Sequence, residues 1–462
     1  MIEGLRPYAD MVATGLPWLP SLPAHWDLRR NGRLFGERRE TGYPDLPVLE
    51  VSIRTGVRIR DFEGGTRKQE IADRSKYQRA VHGDIAYNMM RMWQGAVGIA
   101  PADGLVSPAY VVAKPFAGVE AAYYAYLFRT DGYKHEIDAF SRGIVPDRNR
   151  LYWEAFKQMP SAYPPLEEQR LIVRFLDWHG GMTARLIRGK KRLIALLNEQ
   201  KQSIIHHAVT RGLDPAAPLK PSGVDWLGDV PEGWEVKRLK WVAHNVVDQT
   251  DHCPSDQIYV ALEDIESWIG RLLRTGHSDI KGAQLKKFLP SDVLFGKLRP
   301  YLAKVIRPQV SGVCVGELLV LRADAAAIDP AFLEVRLRAS DFIAHVNQST
   351  FGAKMPRADW GFIGGTPIAY PPNLSEQHEI LQHIQSVTRE LADLSRRIGN
   401  EITLIQEFRN RLIADVVTGQ LDVRALAATL PAVTEAAPLD ELTDSDETDE
   451  DANALEDEEA EA

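Results

Sequence analysis

The residues best able to do chemistry in this sequence are arginines and lysines set in polar, glycine-punctuated loops. They fall in two groups about two hundred residues apart. The first holds Arg58, Arg60, Arg67 and Lys68 within 53–68, Arg91 within 91–93, and Arg142 and Arg148 within 141–150. The second holds Lys286 and Lys287 within 281–287, Lys297 and Arg299 within 296–301, and Lys354 and Arg357 within 351–357. Guanidinium and ammonium groups are the usual readers of phosphate oxygens and guanine edges, so the chemistry this set offers is contact with a nucleic acid. Any one of these side chains alone reads as a solvated surface charge. Their corresponding placement in both halves of the chain makes the group a candidate.

No catalytic engine accompanies them. The sequence has no GxxxxGK[ST] phosphate loop and no GxGxxG turn, so no nucleotide cofactor is expected. The tetrapeptide of amino-methyltransferases is missing too: Pro164-Pro165 lies between Tyr163 and Leu166. The stretch Pro231–Lys237 echoes a nuclease motif, but Glu232 and Glu235 are too close in sequence to arrive from two separate strands. His206 and His207 are adjacent, about 100° apart on a helix, and form no metal pair. His25, His82 and His135 share no spacing pattern. The expectation is a binding scaffold with no catalytic residue, cofactor or metal.

The elements that position the basic loops are written twice. Tyr163–Arg170 reads YPPLEEQR, and Tyr370–His378 reads YPPNLSEQH. The period is about 208 residues and holds along most of the chain. Trp18 matches Trp226, Trp26 matches Trp234, Asp84 matches Asp292, Arg91 matches Arg299, and Glu168-Gln169 matches Glu376-Gln377. A solenoid repeats every 20–50 residues, so this unit is a whole domain with a connector.

Each unit opens with short β-branched and aromatic runs such as Leu46–Ile53 and Gln257–Ile265, which read as strands. Each closes on one long helical pattern. Paired prolines are tolerated just before a helix and not inside one, and Asn373 with Glu376 resembles a capping arrangement. Ile384, Leu391, Leu394, Ile398, Ile405 and Leu412 follow coiled-coil spacing in the second copy; Leu171, Phe175, Leu193 and Leu197 do so more weakly in the first. Gly180-Gly181 interrupts the first pattern and is expected to break or kink that helix.

The resulting fold class is α+β, with two tandem α/β domains, each followed by a long helix. The helices are expected to pair as an antiparallel coiled coil with pseudo-two-fold symmetry. The division reads 1–165, a first globular domain; 166–212, a first long helix; 213–372, a second globular domain; 373–424, a second long helix; and 425–462, a disordered acidic tail.

The 462 residues are 44% hydrophobic and 26% charged, ordinary for a globular protein. No run of about 18 apolar residues appears, so no membrane span is expected. Two cysteines, Cys253 and Cys314, allow no disulfide framework and suit a reducing cytoplasm. The net charge of −9 misleads, because the stretch Glu435–Ala462 holds 14 Asp and Glu and no Lys or Arg. The rest of the chain carries 55 Lys and Arg against 50 Asp and Glu, mildly positive and compatible with a nucleic-acid partner. The aromatic-free acidic stretch reads as disordered, serving either as a solubility appendage or as a mimic of DNA.

In order and in duplicate, these motifs resemble the specificity subunit of Type I restriction-modification systems. The set is Leu22-Pro23 with Trp26 and Val230-Pro231 with Trp234; Gly83-Asp84-Ile85 with Arg91 and Asp292-Val293 with Arg299; Gly143 with Pro146 and Gly352 with Pro356-Arg357; and the two Glu-Gln pairs. The resemblance covers about 16–424. It implies two target-recognition domains, each reading one half of a split DNA sequence. It also implies a helical spacer that docks two methylation subunits, joined by restriction subunits. S-adenosylmethionine, ATP and catalysis would belong to those partners. A DNA reader for a related defence effector, a stand-alone nuclease and a duplicated protein-binding adaptor stay open beside it.

Overall fold

A computed structural model describes residues 5–60, 74–143, 149–253, 257–274, 281–352 and 355–431. Contacts divide the chain into two compact units: Met1–Arg192 with Gly399–Ala462, and Leu193–Ile398. The cut runs through both long helices, so each unit holds one part of each.

The first unit is built on an antiparallel sheet ordered Phe35–Arg38, Tyr110–Pro115, Ile85–Asn88, Val97–Ile99. The second repeats it with Ala243–Val246, Leu318–Ala323, Val293–Gly296 and Val305–Ile306. The register is the same after a shift of 208: Ala113 faces Ile85, and Leu321 faces Val293. The strands Ile85–Asn88 and Val293–Gly296 are buried throughout, which explains their nearly continuous apolar runs. Short helices cover the sheets. Thr130 caps Asp131–Phe140, and Asp329 caps Pro330–Arg338, its carboxylate accepting from the Ala331 N–H at 2.7 Å. Phe35, Tyr124, Phe128 and Phe156 fill the first core; Phe295, Phe332, Phe342 and Tyr370 fill the second.

The first long helix is Leu166–Arg211 and the second Leu374–Val417. The expected break is corrected: the first helix is continuous through Gly180-Gly181. Buried Phe175, Thr183, Ala184 and Ile187 on either side offset the glycines' helix penalty of about 1 kcal/mol each. Within the first unit the helix parts run antiparallel. The His179 ring lies 6.3 Å from that of Phe408, and Lys190 pairs with Glu401, so numbers rise on one helix as they fall on the other. Within the second unit Ile205 and Val209 share a core with Ile380 and Ile384. The segment after 423 begins as a short helix, Arg424–Thr429, with Ala427 buried, so the expected tail does not start at 425. Residues 432–462 lie outside the described residues. Among the described residues no helix is long and apolar enough to cross a membrane.

The repeated Glu-Gln has a structural reason. Gln169 is fully buried; its Oε1 accepts from the Glu120 N–H at 2.8 Å, and its Nε2 donates to the carbonyls of Gly118 (3.2 Å) and Pro164 (2.8 Å). Gln377 does the same with the Asp329 N–H (2.7 Å) and the carbonyls of Ala327 (3.1 Å) and Pro371 (2.8 Å). Asn373 caps the second helix through the Ser375 N–H at 2.9 Å. Glu376 does not close a capping box: it accepts from Trp234 Nε1 at 2.8 Å. Replacing Gln169 or Gln377 by Leu leaves one N–H and two carbonyls without their partner. We expect each change to cost about 1–3 kcal/mol, read as a lower urea midpoint, because that is the cost of orphaning one buried group and only the proline carbonyl lies at a buried residue. An unchanged midpoint would refute the staple.

Candidate nucleic-acid interface

In the first unit two loops meet beside the central sheet. Residues 142 and 150 pair as a backbone bridge, and the Leu151 N–H donates to the Met89 carbonyl at 2.8 Å. That bond ties the late loop to the turn carrying Arg91. The turn is closed locally: the Asn88 side chain accepts from the Met90 N–H at 2.8 Å, and Trp93 Nε1 donates to the Met90 carbonyl at 2.9 Å. Beside it opens a cleft of about 910 Å³ lined by Arg39, Lys76, Gln78, Arg142, Arg150 and Tyr152, among others. Cations, an amide and an exposed aromatic ring converge there, a combination suited to phosphate and base contacts.

The second unit repeats the tie. The Ala358 N–H donates to the Lys297 carbonyl at 2.9 Å, and the Arg299 N–H donates to the Pro356 carbonyl at 2.7 Å. Residues 351 and 357 bridge, as 142 and 150 do. Arg299 sits at φ 49°, in the left-handed region that L-residues avoid. Tyr301, Phe351 and Met355, in or beside this loop pair, are exposed. Arg357 is held by Glu317 at 2.7 Å.

Not every expected cation is equally available. Arg58 pairs with Glu50. Arg60 is half-buried just past the end of its strand, its N–H donating to the Val48 carbonyl at 2.8 Å. The Lys286 ammonium donates to the carbonyls of Gly316 (3.2 Å) and Leu318 (2.8 Å); burial, then Lys297, holds its pKa below the ordinary lysine value. Lys287 is exposed, 3.8 Å from Asp248. Arg67, Lys68, Arg148 and Lys354 lie outside the described residues.

No protein-family model matches the chain. It is 23% identical over 204 residues to the Type I restriction enzyme EcoDI specificity subunit of Escherichia coli, covering 42% of this chain and 44% of that subunit. It is 24% identical over 359 residues to the MjaIX specificity subunit of Methanocaldococcus jannaschii, covering 74% and 75%. The chain thus spans less than half the length of the EcoDI subunit it matches. A solved chain from a study of complex assembly and conformational transition in the type I R-M system superposes with a TM-score of 0.60 at 16% identity, covering 86% of this chain and 98% of that one. The chain resembles Type I specificity subunits.

The helix residues expected to form the coiled-coil seam divide by burial. Phe175, Leu197, Ile384, Ile398 and Leu412 are buried, and Leu171, Leu391 and Ile405 are half-buried. Leu193 and Leu394 are exposed, because the helix face they occupy turns to solvent in this chain. Arg39, Lys76, Gln78 and Tyr152 line the cleft without having been expected from the sequence. Arg39 and Lys76 lack any local motif; Tyr152 follows the 141–150 loop, which was the available signal.

The left-handed turn at Arg299 carries strain of about 1–2 kcal/mol that only glycine escapes. We expect Arg299→Gly to melt higher than Arg299→Ala, which keeps Cβ and so keeps the strain. Equal midpoints in the two variants would count against strain at this turn.

Proposed function

We propose that this chain is the DNA-recognition subunit of a Type I restriction-modification complex. Each unit reads one half of a bipartite double-stranded target, and the long helices dock two methylation subunits, which restriction subunits join. The chain itself is non-catalytic and works in the cytoplasm. One observation carries the reading: two scaffolds of the same register present different basic and aromatic loops at the same place. A shared scaffold gives each reader the same pose on its own half-site, and differing loops let the two read different bases. Exposed Met182, Leu186, Leu404 and Phe408 on the helix parts of the first unit support the docking role, since clustered apolar side chains in solvent mark protein contacts.

The basic loops lead us to expect salt-sensitive DNA affinity. The decisive experiment is a methylation map of the source genome with and without this gene. Loss of methylation at one motif of two short blocks with a fixed gap is the expected result. Exchanging residues 16–163 for those of another specificity subunit should then change one block and spare the other. A change in both blocks would refute the assignment of one half-site to each unit.

A further inference from the structure

We propose that the acidic stretch Glu435–Ala462 docks in the basic cleft of the first unit and competes there with DNA; this rests on the DNA-reading function proposed above. The cleft presents Arg39, Lys76, Arg142 and Arg150. Its two acids are engaged: Glu37 pairs with Arg39 at 2.8 Å, and Glu154 pairs with Lys157. Four cations against two acids leave the lining net cationic. The acidic stretch brings 14 carboxylates and no cation. Carboxylate and phosphate oxygens are both acceptors for guanidinium, so one surface takes either.

Placement favours the first unit. The described chain runs to Pro431, just after the helix Arg424–Thr429 packed in that unit's core. Residues 432–462 can reach about 100 Å when extended. A compact unit of this size is about 45 Å across. The cleft is within reach, and attachment to the same chain supplies an effective concentration in the millimolar range.

The consequence is selectivity. Non-specific DNA binds through phosphates alone, which carboxylates can replace. A cognate site adds base contacts that they cannot. The acidic stretch thus raises the threshold for non-specific DNA more than for the target.

The test uses the full chain with every Asp and Glu from 435 to 461 changed to Asn or Gln. Its affinity for a random-sequence duplex is compared with that of the native chain across a salt series. We expect binding about tenfold tighter at low salt, the gap closing as salt rises. A second pair carries Arg142→Glu with Arg150→Glu, where neutralising the acidic stretch should bring little gain. Equal affinities in the first pair, with DNA bound, would overturn the docking and leave the DNA reading intact. The same gain in both pairs would mean bulk charge repulsion and would also overturn docking in the cleft. No DNA binding by any form would instead refute the reading beneath it.

Discussion

A single buried amide organises each half of the molecule. Gln169 and Gln377 are each the fourth residue of a long helix. Each meets the N–H of the residue that opens a short helix, Glu120 or Asp329, and the carbonyls of a loop and of a proline. The proline carbonyls lie at buried residues and need a protein partner, and the other groups are partly buried. The glutamine side chain is long enough to span them and carries both a donor and an acceptor. Glutamate could not donate, and leucine could do neither. The amide therefore ties the long helix to its globular domain at two points, and the direction in which the helix leaves follows from those ties.

Much of this was legible in the sequence. The 208-residue period showed that Asp84 and Asp292 correspond, and both carboxylates close the same turn, accepting from the Val81 and Leu289 N–H groups at 2.8 Å. What the period could not show is the partner. Arg38 on an edge strand pairs with Asp84, whereas Arg322 on the neighbouring central strand pairs with Asp292. Edge and central strand run side by side, so either can supply the guanidinium, and sequence spacing does not distinguish them. The break expected at Gly180-Gly181 failed for a related reason. Propensity is local, and packing on both sides of the pair outweighs it.

The candidate site was less legible than the scaffold. A basic loop announces charge but not what the charge already holds. Lys286 reads as a surface reader in sequence, yet its ammonium satisfies the carbonyls of Gly316 and Leu318 beside its own strand. Arg39 reads as an ordinary strand-end residue, yet the fold sets it on the wall of a cleft with Arg142, about a hundred residues away. Those assignments depend on cross-strand geometry, which appears in no local pattern.

The first unit also depends on chain that arrives late. Its core includes Leu412, Val416, Val417 and Val423, and the Tyr123 hydroxyl donates to the Val417 carbonyl at 2.7 Å. The Asp422 N–H donates to the Arg6 carbonyl at 2.8 Å, and Gln420 Nε2 to the Ser21 carbonyl at 3.0 Å. The second unit closes with residues 193–398 alone. Contacts of such separation carry a loop-closure cost that must be met before they reward the chain. The second unit can therefore complete its core while the first still waits for the end of the second helix. That order gives the helices a part beyond spacing: the residues that close the second helix are the ones that finish the first core.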